Sequence, residues 1–253
     1  MRALFAVVLL LLPGTALAED LRIFASQDEV AISSNFNGID IGLFGAIRRD
    51  RATVARAADY DVVVTVAGPP ADLVVRRKDE ILQLWINRAS EVFRSVPSYF
   101  ATLSNRPVRD ITNDAVRERF GLGSDRVVLD RSAAGDAGPE EVELFRSALV
   151  RLRRSEGLYV DEPRAIAYPM EGILQARLHL PADTPDGLYT VRAYLFAGGV
   201  LLATDVASFE VVKTGIEELA FDVSRQQPLL YGIVAVVLSV MVGWIGGVVF
   251  RRD

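Results

Sequence analysis

The sequence predicts a mainly β protein: an Ig-like antiparallel β-sandwich with a helical insertion, followed by one C-terminal transmembrane helix. Three observations predict it. Runs of alternating apolar and polar residues recur on both sides of the middle of the chain, the pattern of strands with one buried face. One stretch between them carries a full set of helix start and stop signals. Residues 229–250, LLYGIVAVVLSVMVGWIGGVVF, contain no charge.

The two ends differ in length. Arg2 supplies a positive start, Ala3 to Leu12 is an apolar run, Pro13 and Gly14 break it, and Ala16-Leu17-Ala18 places small residues where a signal peptidase cuts. As a helix that run covers about 15 Å, against about 30 Å for a bilayer core. Residues 1–18 are therefore expected to be a cleaved signal peptide. Residues 229–250 would span about 33 Å as a helix and are expected to be the anchor. Tyr231 and Phe250 fall near its ends, at headgroup depth. Arg251 and Arg252 belong on the cytoplasmic side, which leaves 251–253 as a cytoplasmic tail. A buried helix of a soluble domain is the competing reading, and the lack of any polar face speaks against it. The expected location is the inner (plasma) membrane, single-pass, with the bulk in the periplasm.

Composition narrows the function. The chain has 253 residues, 51% apolar, no cysteine and one histidine. Without its ends it carries a net charge of about −7, which does not suit nucleic acid as a partner. Thiol catalysis, disulfide relays and cysteine metal sites are excluded.

The elements follow in order. Residues 19–111 form an N-terminal β region. EVAISS (29–34) and IDIGLFGAI (39–47) flank Asn35-Phe36-Asn37-Gly38, and Asn-Gly suits a tight hairpin turn. YDVVVTVAGPP (60–70) is a β-branched run ended by prolines. DLVVRRKDEILQLWIN (72–87) predicts two strands joined by a Lys78-Asp79-Glu80 turn, and SVPSYFATLSN (95–105) a further extended segment. Residues 112–160 form the helical insertion. Thr112 or Asn113 caps a short helix through Phe120, stopped by Gly121. In 139–157, Pro139, Glu140 and Glu141 mark a start and Arg151, Arg153, Arg154 and Gly157 an end. Val142, Phe145, Leu149 and Leu152 give that helix one buried stripe. Residues 161–213 return to β as a meander of ILQARLHL (173–180), LYTVRAYLF (188–196) and VLLATDVASFEVV (200–212). Residues 214–228 are a juxtamembrane linker. Whether these form one sandwich or two lobes is open.

The signal peptide, the RRK and LWIN stretches, LPADTPDGLYTVRAYLF and the terminal LYGIVAV…GW helix together resemble the uncharacterised alphaproteobacterial putative transmembrane protein family. The resemblance covers nearly the whole mature chain and brings no catalytic residues. It implies company with a sulfite-exporter-type permease, and so an accessory role in transport.

Candidate chemistry is sparse. His179 lies on a polar strand face and reads as a surface histidine; a zinc site would need three carboxylate partners. No cofactor and no metal is expected. Asp28-Glu29, Asp79-Glu80 and Glu217-Glu218 are adjacent and diverge on a strand, whereas Asp59 and Asp61 share a face; all are read as solvated charges. Arg76, Arg77 and Lys78 with Trp85 form a basic tip that suits an anion, a lipid headgroup or an acidic partner, or else guards an edge strand. Ala235, Ser239, Gly243 and Gly247 recur every four residues on one helix face, where small side chains permit close helix packing.

The expectation is a non-enzymatic accessory or interaction subunit of a membrane complex. Its partners would be the lipid bilayer and a polytopic membrane protein, or a second copy through the helix. The alternative is an anchored periplasmic binding module for a small anion or envelope glycan.

Overall fold

The computed structural model describes residues 19–33, 37–48, 60–81, 84–131, 138–214 and 228–249, and among these residues it has three β-sheets, four α-helices and a short 3-10 turn at Ser124–Arg126. The first sheet is antiparallel, in the order β1 (Asp20–Ala25), β3 (Ile39–Arg48), β11 (Ile173–Leu180), β10 (Ile166–Met170). The second runs β2 (Glu29–Ile32), β13 (Val200–Lys213), β12 (Gly187–Ala197), β4 (Tyr60–Ala67), β7 (Phe100–Ser104), β9 (Tyr159–Pro163). The third joins β5 (Pro70–Ile81), β6 (Leu84–Pro97) and the short β8 (Asp130–Arg131). The helices are α1 (Val108–Ile111), α2 (Asp114–Phe120), α3 (Pro139–Ser155) and α4 (Pro228–Val249).

The first two sheets face each other across one core. Leu21, Ile41, Leu43 and Leu178 from the first join Val64, Val191, Leu195 and Phe209 from the second in a single buried cluster. The alternation read from sequence puts them there. Leu174, Ala176, Leu178 and Leu180 are all buried, as are Tyr189, Val191, Ala193 and Leu195. Strand residues two apart share a face, so each set loses its apolar surface to water together. Aromatic rings fill the centre, with Tyr189 stacked on Phe209 at 5.1 Å and tilted against Tyr99 at 5.9 Å. The Tyr99 hydroxyl donates to the His179 carbonyl at 2.8 Å, tying the end of the β5–β6 segment to β11.

The question of one sandwich or two lobes is answered by pairing. β3 lies against β11 over eight residue pairs, from Ile173↔Ala46 to Leu180↔Ile39. Strands from both sides of the insertion therefore share one sheet.

Several local expectations are corrected. The Asn-Gly hairpin does not form: β2 pairs in parallel with β13, and β3 joins the other sheet. Val30 and Ile32 bury from one layer, Ile41 and Leu43 from the other, so the chain crosses between layers where a hairpin would have kept both in one. The sandwich is also not wholly antiparallel as the Ig-like reading had it, since β2 with β13 and β7 with β9 are parallel pairs. The three-strand meander is only a hairpin, β12 with β13, because β11 belongs to the opposite sheet. Lys78, Asp79 and Glu80 do not turn the chain. β5 continues through them to Ile81, which pairs with Leu84.

The helical signals hold. Asn113 caps α2, its side-chain oxygen accepting from the Val116 amide at 3.0 Å. Gly121 ends α2 with φ 62°, a left-handed position that glycine adopts without Cβ strain. Phe145 and Leu149 of α3 bury against Phe93 and Val96 of β6. Leu152 does not follow them and is 55% exposed; Val150 is buried instead, in the main core with Val127 and Leu158. The end of α3 has crossed from the third sheet to the sandwich.

The largest correction concerns the C-terminus. Helix α4 forms and runs 22 residues, but among the described residues no helix is long and apolar enough to cross a membrane. The fold is thus mainly β with a C-terminal apolar helix; the predicted transmembrane helix is not supported.

Two outcomes follow from the packing. A Cβ on Gly45 would lie 2.6 Å from the Arg22 carbonyl oxygen and 2.9 Å from Leu174 Cγ. That oxygen cannot retreat without parting β1 from β3, so Gly45→Ala should lower the unfolding free energy by about 1–3 kcal/mol in urea titration of the detergent-solubilised chain. Burial also pushes the phenols of Tyr99, Tyr159 and Tyr189 above the ordinary tyrosine value of about 10. The fold holds them neutral, so their contribution is complete below about pH 10 and is lost as pH rises further. The unfolding free energy should be level up to about pH 10 and then fall by about 1.4 kcal/mol per pH unit for each phenol held back.

Candidate functional site

The outward face of the six-stranded sheet carries Val63 and Thr65 of β4, Thr102 and Ser104 of β7, Asp161 of β9 and Tyr194 of β12, aligned by strand register. Water does not reach most of it. α1, α2 and Leu122 cover one end, where Ile111 and Leu122 bury with Val63, Tyr194 and Phe196. The end of α3 and the segment around Val127 cover the other.

Two charged braces fix these covers. At the first, Asp61 is 4% exposed, and Arg106 donates to both of its oxygens. Asn105 donates to Asp61 at 3.0 Å and accepts from the Val62 amide at 3.0 Å. Asp61 is therefore a buried partner, not the solvated charge expected from sequence. An acid at a strand entrance looks ordinary until the residues that meet it, 44 and 45 positions later, are known. At the second brace, the Ser124 amide donates to Asp161 Oδ1 at 2.8 Å and its hydroxyl to Asp161 Oδ2. Arg154, at the end of α3, donates to the Ser124 hydroxyl and to Asp161 Oδ2 at 2.8 Å. The arginine cluster of α3 thus complements the helix end and also pins it to β9. Arg153 pairs with Glu156.

Between the braces lies a recess of about 200 Å³. Thr102 and Ser104 line it from the sheet, Arg109 from α1, Arg117 from α2, Asp125 from the turn after α2, and Glu162 from β9. Arg117 is neutralised by Asp114 at 2.9 Å and Asp125 at 3.1 Å. Among the described residues the Arg109 side chain has no ion-pair or hydrogen-bond partner. The buried Thr102 hydroxyl and the buried Arg117 Nε have no hydrogen-bond partner either. Among the described residues no group of three or more acidic or histidine side chains could hold a metal ion.

The residues singled out from sequence lie elsewhere. Arg76 and Arg77 are adjacent on β5 and point to opposite sides of the sheet. Both are exposed; Arg77 shares the side of Leu73 and Val75 and pairs with Glu141 of α3 at 3.1 Å. The side chains of Lys78 and Trp85 lie outside the described residues. His179 is exposed, with its Nδ1 2.7 Å from Asp40 Oδ1. Ala235, Ser239 and Gly243 are exposed on α4, and Ser239 donates to the Ala235 carbonyl at 2.8 Å, within its own helix. Gly247 continues that spacing on the backbone of α4. The recess was missed because its residues come from four separate segments with no fixed spacing. The density of charge between Arg106 and Arg126 was the one available signal.

This is a protein with a β-sandwich body, a helical cover and an apolar C-terminal helix. Residues 20–252 match the family described as Putative transmembrane protein (Alph_Pro_TM), so the chain belongs to that family, as the resemblance implied. No curated protein matches it.

The first brace gives a test of the cover. Arg106→Ala leaves a buried carboxylate with Asn105 as its remaining partner, and should destabilise by about 3 kcal/mol. Asp61→Asn leaves a half-exposed guanidinium that water can reach, and should cost less. Equal losses in chemical unfolding would contradict the brace.

Proposed function

We propose that this protein is a non-catalytic accessory or interaction subunit of a membrane complex, with its β body on the periplasmic side. One observation carries the reading: α4 exposes apolar side chains in every direction. Ile233, Val236, Leu238, Val240, Val242 and Trp244 are each more than half exposed, and among the described residues α4 makes no substantial contact with the β body. Such a surface is stable only when lipid or another protein covers it. Membership of a transmembrane family supports the membrane as the setting, and the leader expected at residues 1–18 supports export. Ala235, Ser239 and Gly243 would let a partner's helix approach closely. The partner would be a polytopic membrane protein, such as a transporter. The binding module at the basic tip is disfavoured because Arg77 is occupied by Glu141.

Solubilisation in mild detergent followed by affinity purification should recover a membrane protein in fixed proportion. Gly243→Leu combined with Gly247→Leu should remove it while the β body still folds. Recovery of the same partner in unchanged amount would contradict docking through this face.

A further inference from the structure

The outward face of the first sheet carries exposed aromatic rings between rungs that hold cations. Leu21, Ile23, Ile41 and Leu43 bury on its inner face, so their neighbours along each strand point out. On the outward side Phe24 of β1 lies beside Phe44 of β3, and Phe44 beside Gln175 of β11. The next rung one way holds Arg22, Ala46 and Ile173, and the next rung the other way holds Gly42 and Arg177. The two rings are 6.1 Å apart and 22° from parallel, and Phe24 is 54% exposed. Gly42 shapes this centre. A Cβ there would lie 2.9 Å from Phe44 Cε2, so the missing side chain lets the Phe44 ring extend along its strand.

The charges around the rings select what covers them. Arg22 and Arg48 share one carboxylate, Asp20, at 3.5 Å and 2.8 Å. Asp40 is hydrogen-bonded to the His179 ring. Arg177 is exposed and has no ion-pair or hydrogen-bond partner among the described residues. Guanidiniums therefore outnumber carboxylates on this face, although the chain has a formal net charge of −5. The complement of such a face is an anionic surface with an apolar layer beneath it. A lipid bilayer with acidic headgroups has both: the headgroups attract guanidiniums and the acyl boundary takes up aromatic rings. A soluble polyanion would meet the cations and leave the rings in water. Reach agrees with lipid. Residues 215–227 join β13 to α4, and a chain of that length spans at most about 50 Å. The tether makes the second contact intramolecular, so a weak face suffices.

We propose that the outward face of the first sheet rests on an anionic lipid surface, with Phe24 and Phe44 at the acyl boundary and Arg22 and Arg177 among the headgroups. The helical covers lie on the second sheet, on the opposite side of the sandwich, and so face away from the bilayer. This inference rests on the membrane setting proposed above for α4.

The test uses the full chain in nanodiscs of phosphatidylcholine, with or without phosphatidylglycerol. The chain has no cysteine, so Gln175→Cys, beside Phe44, takes a single environment-sensitive fluorophore. A separate Val240→Cys preparation reports on α4. With phosphatidylglycerol the label at 175 should shift to shorter emission wavelength and be quenched by brominated acyl chains. Phosphatidylcholine alone should give a smaller shift, and added salt should reverse it. Arg177→Ala should lower the ratio of lipid-bound to free face about five-fold. Phe24→Ala should lower it about ten-fold. Both side chains are exposed, so the thermal midpoint should not move. A label at 240 in lipid with a label at 175 in water overturns this proposal and leaves the setting of α4 standing. Both labels in water overturn the two together. The proposal also falls if the label at 175 responds equally in the two lipid mixtures, or if both variants behave like the parent.

Discussion

The ladder between β3 and β11 is the constraint on which the rest of the structure depends. It joins a strand from before the helical insertion to one from after it. Once it forms, Ile41 and Leu43 lie beside Leu174 and Leu178 on one inner face, opposite Val64 and Val191. The insertion between these strands cannot then swing free as a separate lobe. Its two ends are held in the same body, with α1, α2 and the end of α3 on the outward face of the second sheet. Closing a connection of this length is entropically costly, but the cost grows only slowly with loop length. Burial of two sheet faces outweighs it.

The covers are positioned by acids, not by apolar contact alone. Asp61 and Asp161 both lie on the six-stranded sheet, and each receives several donors from the covering segments. Charge-assisted bonds to a carboxylate are directional, so each fixes an angle where apolar packing fixes only a distance. The recess exists because two such braces hold the covers apart over Thr102 and Ser104. The β body carries a polar recess, and α4 an apolar surface that the described residues leave uncovered.

Much of this was legible in the sequence, and the limit was consistently range. Leu174 to Leu180 and Tyr189 to Leu195 declared their buried faces by alternation. Asn113 and Gly121 declared both ends of α2 by local chemistry. Partner choice did not follow from such signals. Asn-Gly after β2 favours a hairpin locally, yet the layers claimed β2 and β3 separately. Lys78-Asp79-Glu80 reads as a turn in any window of that length, and only the β5–β6 register places it within a strand. Leu152 matched the helical period of α3, but the helix changes the layer it packs on near its end. The apolar run at the C-terminus predicted a helix correctly, whereas its capacity to cross a bilayer is not supported among the described residues. The recess was the least legible feature, since Arg109, Arg117 and Asp161 come together only after the sheet is closed.

The most direct measurement of a single body exploits the absence of cysteine from the chain. Asp40 and His179 are register partners on the exposed side of β3 and β11. Asp40→Cys with His179→Cys should form an intramolecular disulfide on mild oxidation in membranes, seen as a reducible change in gel mobility. Arg192→Cys with Val206→Cys, register partners in the β12–β13 hairpin, serves as the control. A cross-link in the hairpin pair but none between Asp40 and His179 would mean that the two β regions are separate lobes, and that no shared body holds the recess.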